Sequence, residues 1–175
     1  MNNIYFIGFM GTGKTTISRL IAERLNMKWV DLDDMIQQKE KKTIVEIFRE
    51  NGEEYFRNLE KEVLTDLAVE RGYVVSTGGG IVIIDENVKI MKESGLIITL
   101  VASPDVIYER LKDDQSRPLL QVPNPLEEIK RLMYERAPFY IKGDMIIDTS
   151  FDEPDMIVEE ILKEIEKRKN GKGTC

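Results

Sequence analysis

Short apolar runs recur along the chain, separated by longer stretches whose apolar residues fall three and four apart. The first run, Ile4-Tyr5-Phe6-Ile7, stops at Gly8, and Ile17, Leu20, Ile21 and Leu25 then keep to one helical face. Lys28 to Leu32 reads as a second strand. Ile44, Ile47 and Phe48 share a helical face behind Thr43, which has the chemistry of an N-cap. Phe56, Leu59, Val63 and Leu67 mark a longer helix ending near Gly72. Tyr73-Val74-Val75-Ser76 predicts a third strand, closed by Gly78-Gly79-Gly80. A helical stretch around Val88 to Met91 leads to a fourth strand, Leu96 to Val101. Pro104 opens the next helix in its first turn, where a missing N–H costs no bond. Asp113 to Pro125 has no periodicity and holds three prolines, so it reads as a mobile loop. A helix through Ile129, Leu132 and Met133 follows, then a fifth strand, Met145-Ile146-Ile147-Asp148. The last helix starts near Pro154 and buries Ile157, Ile161, Leu162 and Ile165, before a polar tail, Lys167 to Cys175, expected to fray.

Five apolar strands alternating with helices predict an α/β fold: a five-stranded parallel sheet with helices on both faces. At 175 residues the chain is expected to form one domain, with its ligand site beyond the carboxyl ends of the strands. Composition narrows the chemistry. The net charge of −7 argues against a general nucleic-acid or anionic-membrane binder. There is no histidine, which removes every Ser-His or Cys-His nucleophile and the commonest metal ligand. The single cysteine, Cys175, excludes an intramolecular disulfide and a Cys-rich zinc site. The longest apolar run, Gly95 to Ala102, falls well short of the roughly 18 residues of a membrane span. The N-terminus shows no signal-peptide pattern, so the expectation is a cytoplasmic protein.

Gly8-Phe9-Met10-Gly11-Thr12-Gly13-Lys14-Thr15 fits the phosphate-loop pattern, between a strand and a helix as that motif requires. Backbone N–H groups from Gly11 to Thr16 can converge on phosphate oxygens at a helix N-terminus. Lys14 supplies a point charge for the β- and γ-phosphates, and the Thr15 hydroxyl can reach Mg²⁺.

Asp31 and Asp33 stand two apart at the end of the second strand, where period two puts both carboxylates on one face. One would serve the Mg²⁺ shell and the other accept a proton; the alternative is a solvated acidic turn capping the next helix. The three glycines from Gly78 suggest a backbone that lies against a ligand, or a tight flexible turn. Arg57 with Glu60 is an i, i+3 helical pair, a spacing that usually decorates a surface. Arg117, in the proline-rich loop, and Arg136, before Ala137-Pro138, read alone as solvated charges.

Together these features resemble the shikimate kinase family, almost throughout from Ile4 to about Leu162. The narrowest part of the likeness is Arg57, Glu60 and Leu64, followed by Val74-Val75-Ser76 and Gly78-Gly79-Gly80. Arg117-Pro118-Leu119-Leu120 resembles the family's lid, and Arg136-Ala137-Pro138-Phe139-Tyr140 its second arginine motif. The resemblance implies strand order 2-3-1-4-5 and transfer of the ATP γ-phosphoryl group to the 3-hydroxyl of shikimate, a step of aromatic amino-acid biosynthesis. It implies Mg²⁺ near Thr15 and Asp31, with Asp33 holding the substrate hydroxyls and acting as base. Arg57 and Arg136 would clamp the shikimate carboxylate, Glu60 would orient Arg57, and Gly78, Gly79 and Gly80 would meet the ring hydroxyls. Arg117 would close with a lid over 113–125, Arg110 would lie over the adenine, and the substrate region would span about 33–61. The expected partners are small molecules, with no nucleic acid or membrane, and the expected state is a monomer. After Asp148-Thr149 the chain lacks the basic residues the family often carries beside the adenine. A nucleotide kinase on the same scaffold is the nearest rival reading. A guanine-nucleotide switch is disfavoured because the chain has no Asn-Lys-x-Asp motif. With no imidazole, ionisation near neutral pH falls to a perturbed carboxylate, the nucleotide, the N-terminal amine or Cys175; Asp33 is the expected carboxylate.

Overall fold

The computed structural model describes residues 2–113, 120 and 122–171. Its five strands are β1 (Asn3–Gly8), β2 (Lys28–Asp31), β3 (Tyr73–Ser76), β4 (Gly95–Val101) and β5 (Met145–Asp148). All pair in parallel, in the order β2-β3-β1-β4-β5, as expected. The helices are α1 (Lys14–Leu25), α2 (Leu32–Glu40), α3 (Ile44–Val69), α4 (Asp85–Ser94), α5 (Pro104–Leu111), α6 (Pro125–Tyr140) and α7 (Pro154–Gly171).

Every residue of β1 is buried, because both of its edges are paired and both of its faces are covered. Alternate side chains feed two separate cores. Tyr5, Ile7, Val75 and Ile97 pack with α2 to α6, while Ile4, Phe6, Val74, Ile98 and Ile147 pack with α1 and α7. The two helical patterns predicted after Thr43 are one element, α3, broken at Gly52, whose backbone is left-handed at φ 82°. Thr43 caps it with a reciprocal capping box to Glu46.

Two expectations need correction. Leu32 is not the last residue of β2 but the first of α2. Its apolar side chain prolongs the strand pattern in the sequence, yet Asp31 caps the helix and ends the strand there. The tail expected to fray from Lys167 stays helical as far as Gly171, helped by i, i+3 and i, i+4 pairs from Lys167 and Arg168 to Glu164. Most of the predicted loop 113–125, Arg117 included, lies outside the described residues, as does Cys175.

At the opposite end of the sheet from the expected ligand site, the buried Asn3 side chain ties three elements together. It donates to the carbonyl of Glu70 (3.0 Å) and accepts from the Tyr73 amide (3.0 Å). Asn3→Ala strands those groups and is expected to cost about 2 kcal/mol. A lower urea midpoint with an unchanged slope and unchanged turnover is the expected measurement.

Candidate active site

β1 delivers the phosphate loop to the middle of the carboxyl edge, where strand order reverses. Gly8 is required there: its φ is +142°, and a Cβ would stand 2.2 Å from the Leu100 carbonyl oxygen. Gly13, also left-handed, caps α1 without a side-chain bond, so the first amides of α1 are not covered by a capping side chain. Lys14 lies over the loop, its Nζ donating to the carbonyls of Gly8 and Phe9, both at 2.9 Å. Thr12 is buried and its hydroxyl donates to the Phe9 carbonyl (2.8 Å).

Asp31 and Asp33 do not share a strand face. Asp31 is the N-cap of α2, with Oδ1 accepting from the Asp33 amide (3.0 Å), and Asp33 sits in the first helical turn. The capping reading and the metal reading turn out to be compatible, because Asp31 has two oxygens. Its Oδ2 accepts from the Thr15 hydroxyl at 3.4 Å, and that hydroxyl lies 3.3 Å from Ser76 Oγ at the end of β3. Two hydroxyls and one carboxylate, all hard oxygen donors beside the phosphate loop, fit Mg²⁺. Ser76 was not singled out from the sequence; a serine ending an apolar strand at the ligand edge was the available signal.

Asp33 turns toward Gly78 and meets Glu60 there. A Cβ on Gly78 would come 2.9 Å from Asp33 Oδ1 and 3.0 Å from Glu60 Oε1. Glu60 is fully buried and pairs with Arg57 Nη1, so the pair is not surface decoration. Arg57 also donates to Glu53 on the preceding turn, Nη2 to Oε1 at 3.1 Å. Gly80 leaves room for the guanidinium: a Cβ would stand 2.6 Å from both Nη atoms. Gly78 and Gly80 therefore make space first for the protein's own charged side chains.

Burial pushes the Glu60 carboxyl up to about 7, with Asp33 adding to the rise and Arg57 opposing it. Sequence reasoning names Asp33 alone as the carboxylate to shape the acid limb of a pH–rate profile; the fold adds Glu60 beside it. The signal was absent from the chain, because nothing in an Arg-x-x-Glu spacing reveals that the acid is dry.

Arg136, on α6, lies over the Phe9 ring with its guanidinium carbon 5.8 Å from the ring centroid. Tyr140, one turn on and buried, donates to the Gly79 carbonyl (2.7 Å). Burial raises its hydroxyl to about 12, while both Arg136 and Arg57 pull it back. Through its bond to Gly79, Tyr140 ties the helix that carries Arg136 to the glycine turn that borders Arg57. Arg110 lies elsewhere, donating from Nη1 to the Gly11 carbonyl (3.1 Å) and from Nη2 to the Thr149 carbonyl (2.6 Å). Arg117 falls outside the described residues.

Residues 10–166 match the family model for shikimate kinase. The chain is 46% identical to a shikimate kinase of Thermodesulfovibrio yellowstonii over 98% of its own length and 99% of that protein's. A shikimate kinase of a Sulfurihydrogenibium species is 44% identical over 96% of this chain and 100% of its own. Among solved structures, shikimate kinase from Acinetobacter baumannii in complex with shikimate aligns with a TM-score of 0.91. It is 35% identical and covers 97% of this chain and 95% of that one.

The folded Glu60 carboxyl holds its proton more tightly than an unfolded one, so its contribution favours the fold while it is protonated. That contribution is complete below about pH 4.5 and lost as pH rises through about 7. Unfolding free energy of the wild type relative to Glu60→Gln is expected to fall across that window. Urea melts at fixed ionic strength measure this, and parallel curves would show that Glu60 does not titrate there.

Proposed function

The chain belongs to the shikimate kinase family, which transfers the γ-phosphoryl group of ATP to shikimate, and we propose that Lys14, Asp33, Arg57 and Arg136 carry that transfer. The products are ADP and shikimate 3-phosphate. Arg57, held by Glu60 against Gly80, and Arg136, over the Phe9 ring one turn before the Tyr140 that binds the Gly79 carbonyl, are the observation that supports a carboxylate-bearing acceptor.

Arg57 and Arg136 clamp the shikimate carboxylate, since planar forks match its two oxygens. Glu60 keeps Arg57 against Gly80 and restricts its rotation. The Gly78, Gly79 and Gly80 backbone meets the ring hydroxyls. Asp33 accepts hydrogen bonds from those hydroxyls and takes the proton of the 3-hydroxyl as its oxygen bonds to phosphorus. The amides of Gly11, Thr12, Gly13, Lys14, Thr15 and Thr16 hold the nucleotide phosphates. Lys14 exchanges the Gly8 and Phe9 carbonyls for phosphate oxygens, so its charge meets the negative charge of the transferring group. Thr15 and Asp31 are the residues that would hold Mg²⁺, which when bound neutralises phosphate charge. Arg110, its fork held at the edges, keeps its planar face for the adenine. Arg117 is assigned to the lid over 113–125, meeting the transferred phosphoryl group and helping to exclude water.

We read residues 1–175 as one kinase domain, monomeric and cytoplasmic, whose partners are small molecules rather than nucleic acid or membrane. Its acidic charge and single cysteine support that reading. Among the described residues, no helix is long and apolar enough to cross a membrane.

ADP release in a coupled assay with ATP and Mg²⁺ tests the acceptor. Shikimate is expected to turn over far better than gluconate or nucleoside monophosphates; preference for a nucleotide would overturn the reading. Arg57→Ala and Arg136→Ala are each expected to raise the KM for shikimate by about 10- to 100-fold and that for ATP much less. Arg57→Lys should recover little, because an ammonium lacks the fork. Steady-state kinetics with each substrate varied in turn separates these effects.

A further inference from the structure

We propose that Thr149 is a positioning residue for nucleotide binding, its hydroxyl holding a phosphate-loop carbonyl turned away from the phosphates. A phosphate loop binds anions through N–H groups, and the carbonyl of a peptide points opposite to its N–H. A peptide that rolls over puts an oxygen lone pair into the cradle and replaces attraction by repulsion. The loop therefore needs its carbonyls occupied on the outer side as much as its amides free on the inner one.

Five of the six carbonyls from Gly8 to Gly13, all but that of Met10, can be assigned a donor. Gly8 and Phe9 are taken by Lys14, with Thr12 also on Phe9, and Gly13 accepts the first α1 amide bond from Ile17 at 2.9 Å. Gly11 and Thr12, in the middle of the cradle, are held by side chains from remote elements. Arg110 donates to Gly11 (3.1 Å), and the Thr149 hydroxyl donates to Thr12 (3.0 Å). Lys14 is also the group that would turn to the phosphates when nucleotide enters. Thr149, Arg110 and the Thr12 hydroxyl on Phe9 are then the side-chain donors that remain, and of these Thr149 and Arg110 hold the middle of the cradle.

Thr149 is built for that role. It is 1% exposed, directly after β5, and its amide donates to the Val101 carbonyl at the end of β4 (2.8 Å). Because Val101 already accepts that amide, the hydroxyl proton is best used on Thr12, although Val101 lies within 3.2 Å. The hydroxyl oxygen in turn accepts from Arg110 Nη1 (3.2 Å), whose Nη2 donates to the Thr149 carbonyl (2.6 Å). Sheet edge, arginine fork and loop form one closed hydrogen-bonded circuit. None of these contacts involves Asp33, Arg57 or Arg136, so the effect should be confined to the nucleotide side.

The inference rests on the phosphate-loop reading, and the test uses a ligand that has phosphates but no adenine. Thr149→Val keeps shape and removes the hydroxyl; Thr149→Ser keeps the hydroxyl. Calorimetric titration of the full chain with ADP and with inorganic tripolyphosphate should show both weakened about tenfold by Thr149→Val, and by the same factor. The shikimate Kd should be unchanged, the KM for ATP should rise more than kcat falls, and Thr149→Ser should restore binding. Wild-type tripolyphosphate affinity in Thr149→Val would overturn the proposal, as would a loss for ADP alone or an equal loss for shikimate. Absence of tripolyphosphate and ADP binding by the wild type would overturn the phosphate-loop reading and this inference with it. If Thr149→Val fails to fold, Thr149→Ala removes the same hydroxyl and faces the same test, with matched losses for tripolyphosphate and ADP expected and an unchanged tripolyphosphate affinity overturning the proposal.

Discussion

Every group of the site is referred to β1, a strand with no exposed residue. Paired on both edges and covered on both faces, it cannot shift without disturbing β3 and β4 at once. The phosphate loop leaves its end at Gly8, where the approach of Leu100 tolerates no side chain. The neighbouring strand ends then supply Ser76 and the glycine turn on one side, and Val101 with Thr149 on the other. Positioning in this enzyme is thus a property of the sheet, transmitted through short connections, which is what phosphoryl transfer asks of a protein.

Dryness around Glu60 has the opposite character, since it costs stability. A buried carboxyl beside Asp33 is unfavourable when charged, and Arg57 offsets only part of that. What the arrangement provides is a guanidinium whose rotation is restricted before substrate arrives. Gly78 and Gly80 are the spatial condition for it, because a methyl group at either would meet the carboxylates or the guanidinium. Gly78, Gly80 and the Arg-x-x-Glu pair are therefore one structural statement, although they lie on different elements.

The sheet was legible because buried parallel strands are apolar on both faces and stand out against helical periodicity. Lys14 and Thr15 were legible because the phosphate-loop pattern is local. Leu32 misled, since an apolar residue after Asp31 extends a strand pattern while Asp31 itself ends the strand as a cap. The period-two argument for Asp31 and Asp33 failed with it, although Asp31 lies beside Thr15 of the phosphate loop and Asp33 beside the glycine turn. Glu60, Tyr140 and Thr149 were quoted within motifs, but their environments come from partners far away in sequence. Tyr140 is fixed by Gly79, 61 residues earlier, and Thr149 by Thr12, 137 residues earlier. No window of sequence contains such a pair.

The break at Gly52 gives α3 a mechanical meaning. Before it, the segment from Ile44 contributes one fully enclosed side chain, Ile47; after it come Phe56, Leu59, Glu60, Val63, Leu64 and Leu67. Nothing lies within 4 Å of where a Gly52 side chain would be, so the joint stands in open space. The element is a jointed rod: one arm anchored through Ile47, the other seated in the core and carrying Arg57 and Glu60. Across the joint Phe48 of the outer arm packs on Phe56 of the inner one, ring centroids 4.7 Å apart, so an aromatic contact holds the angle that the helix backbone gives up.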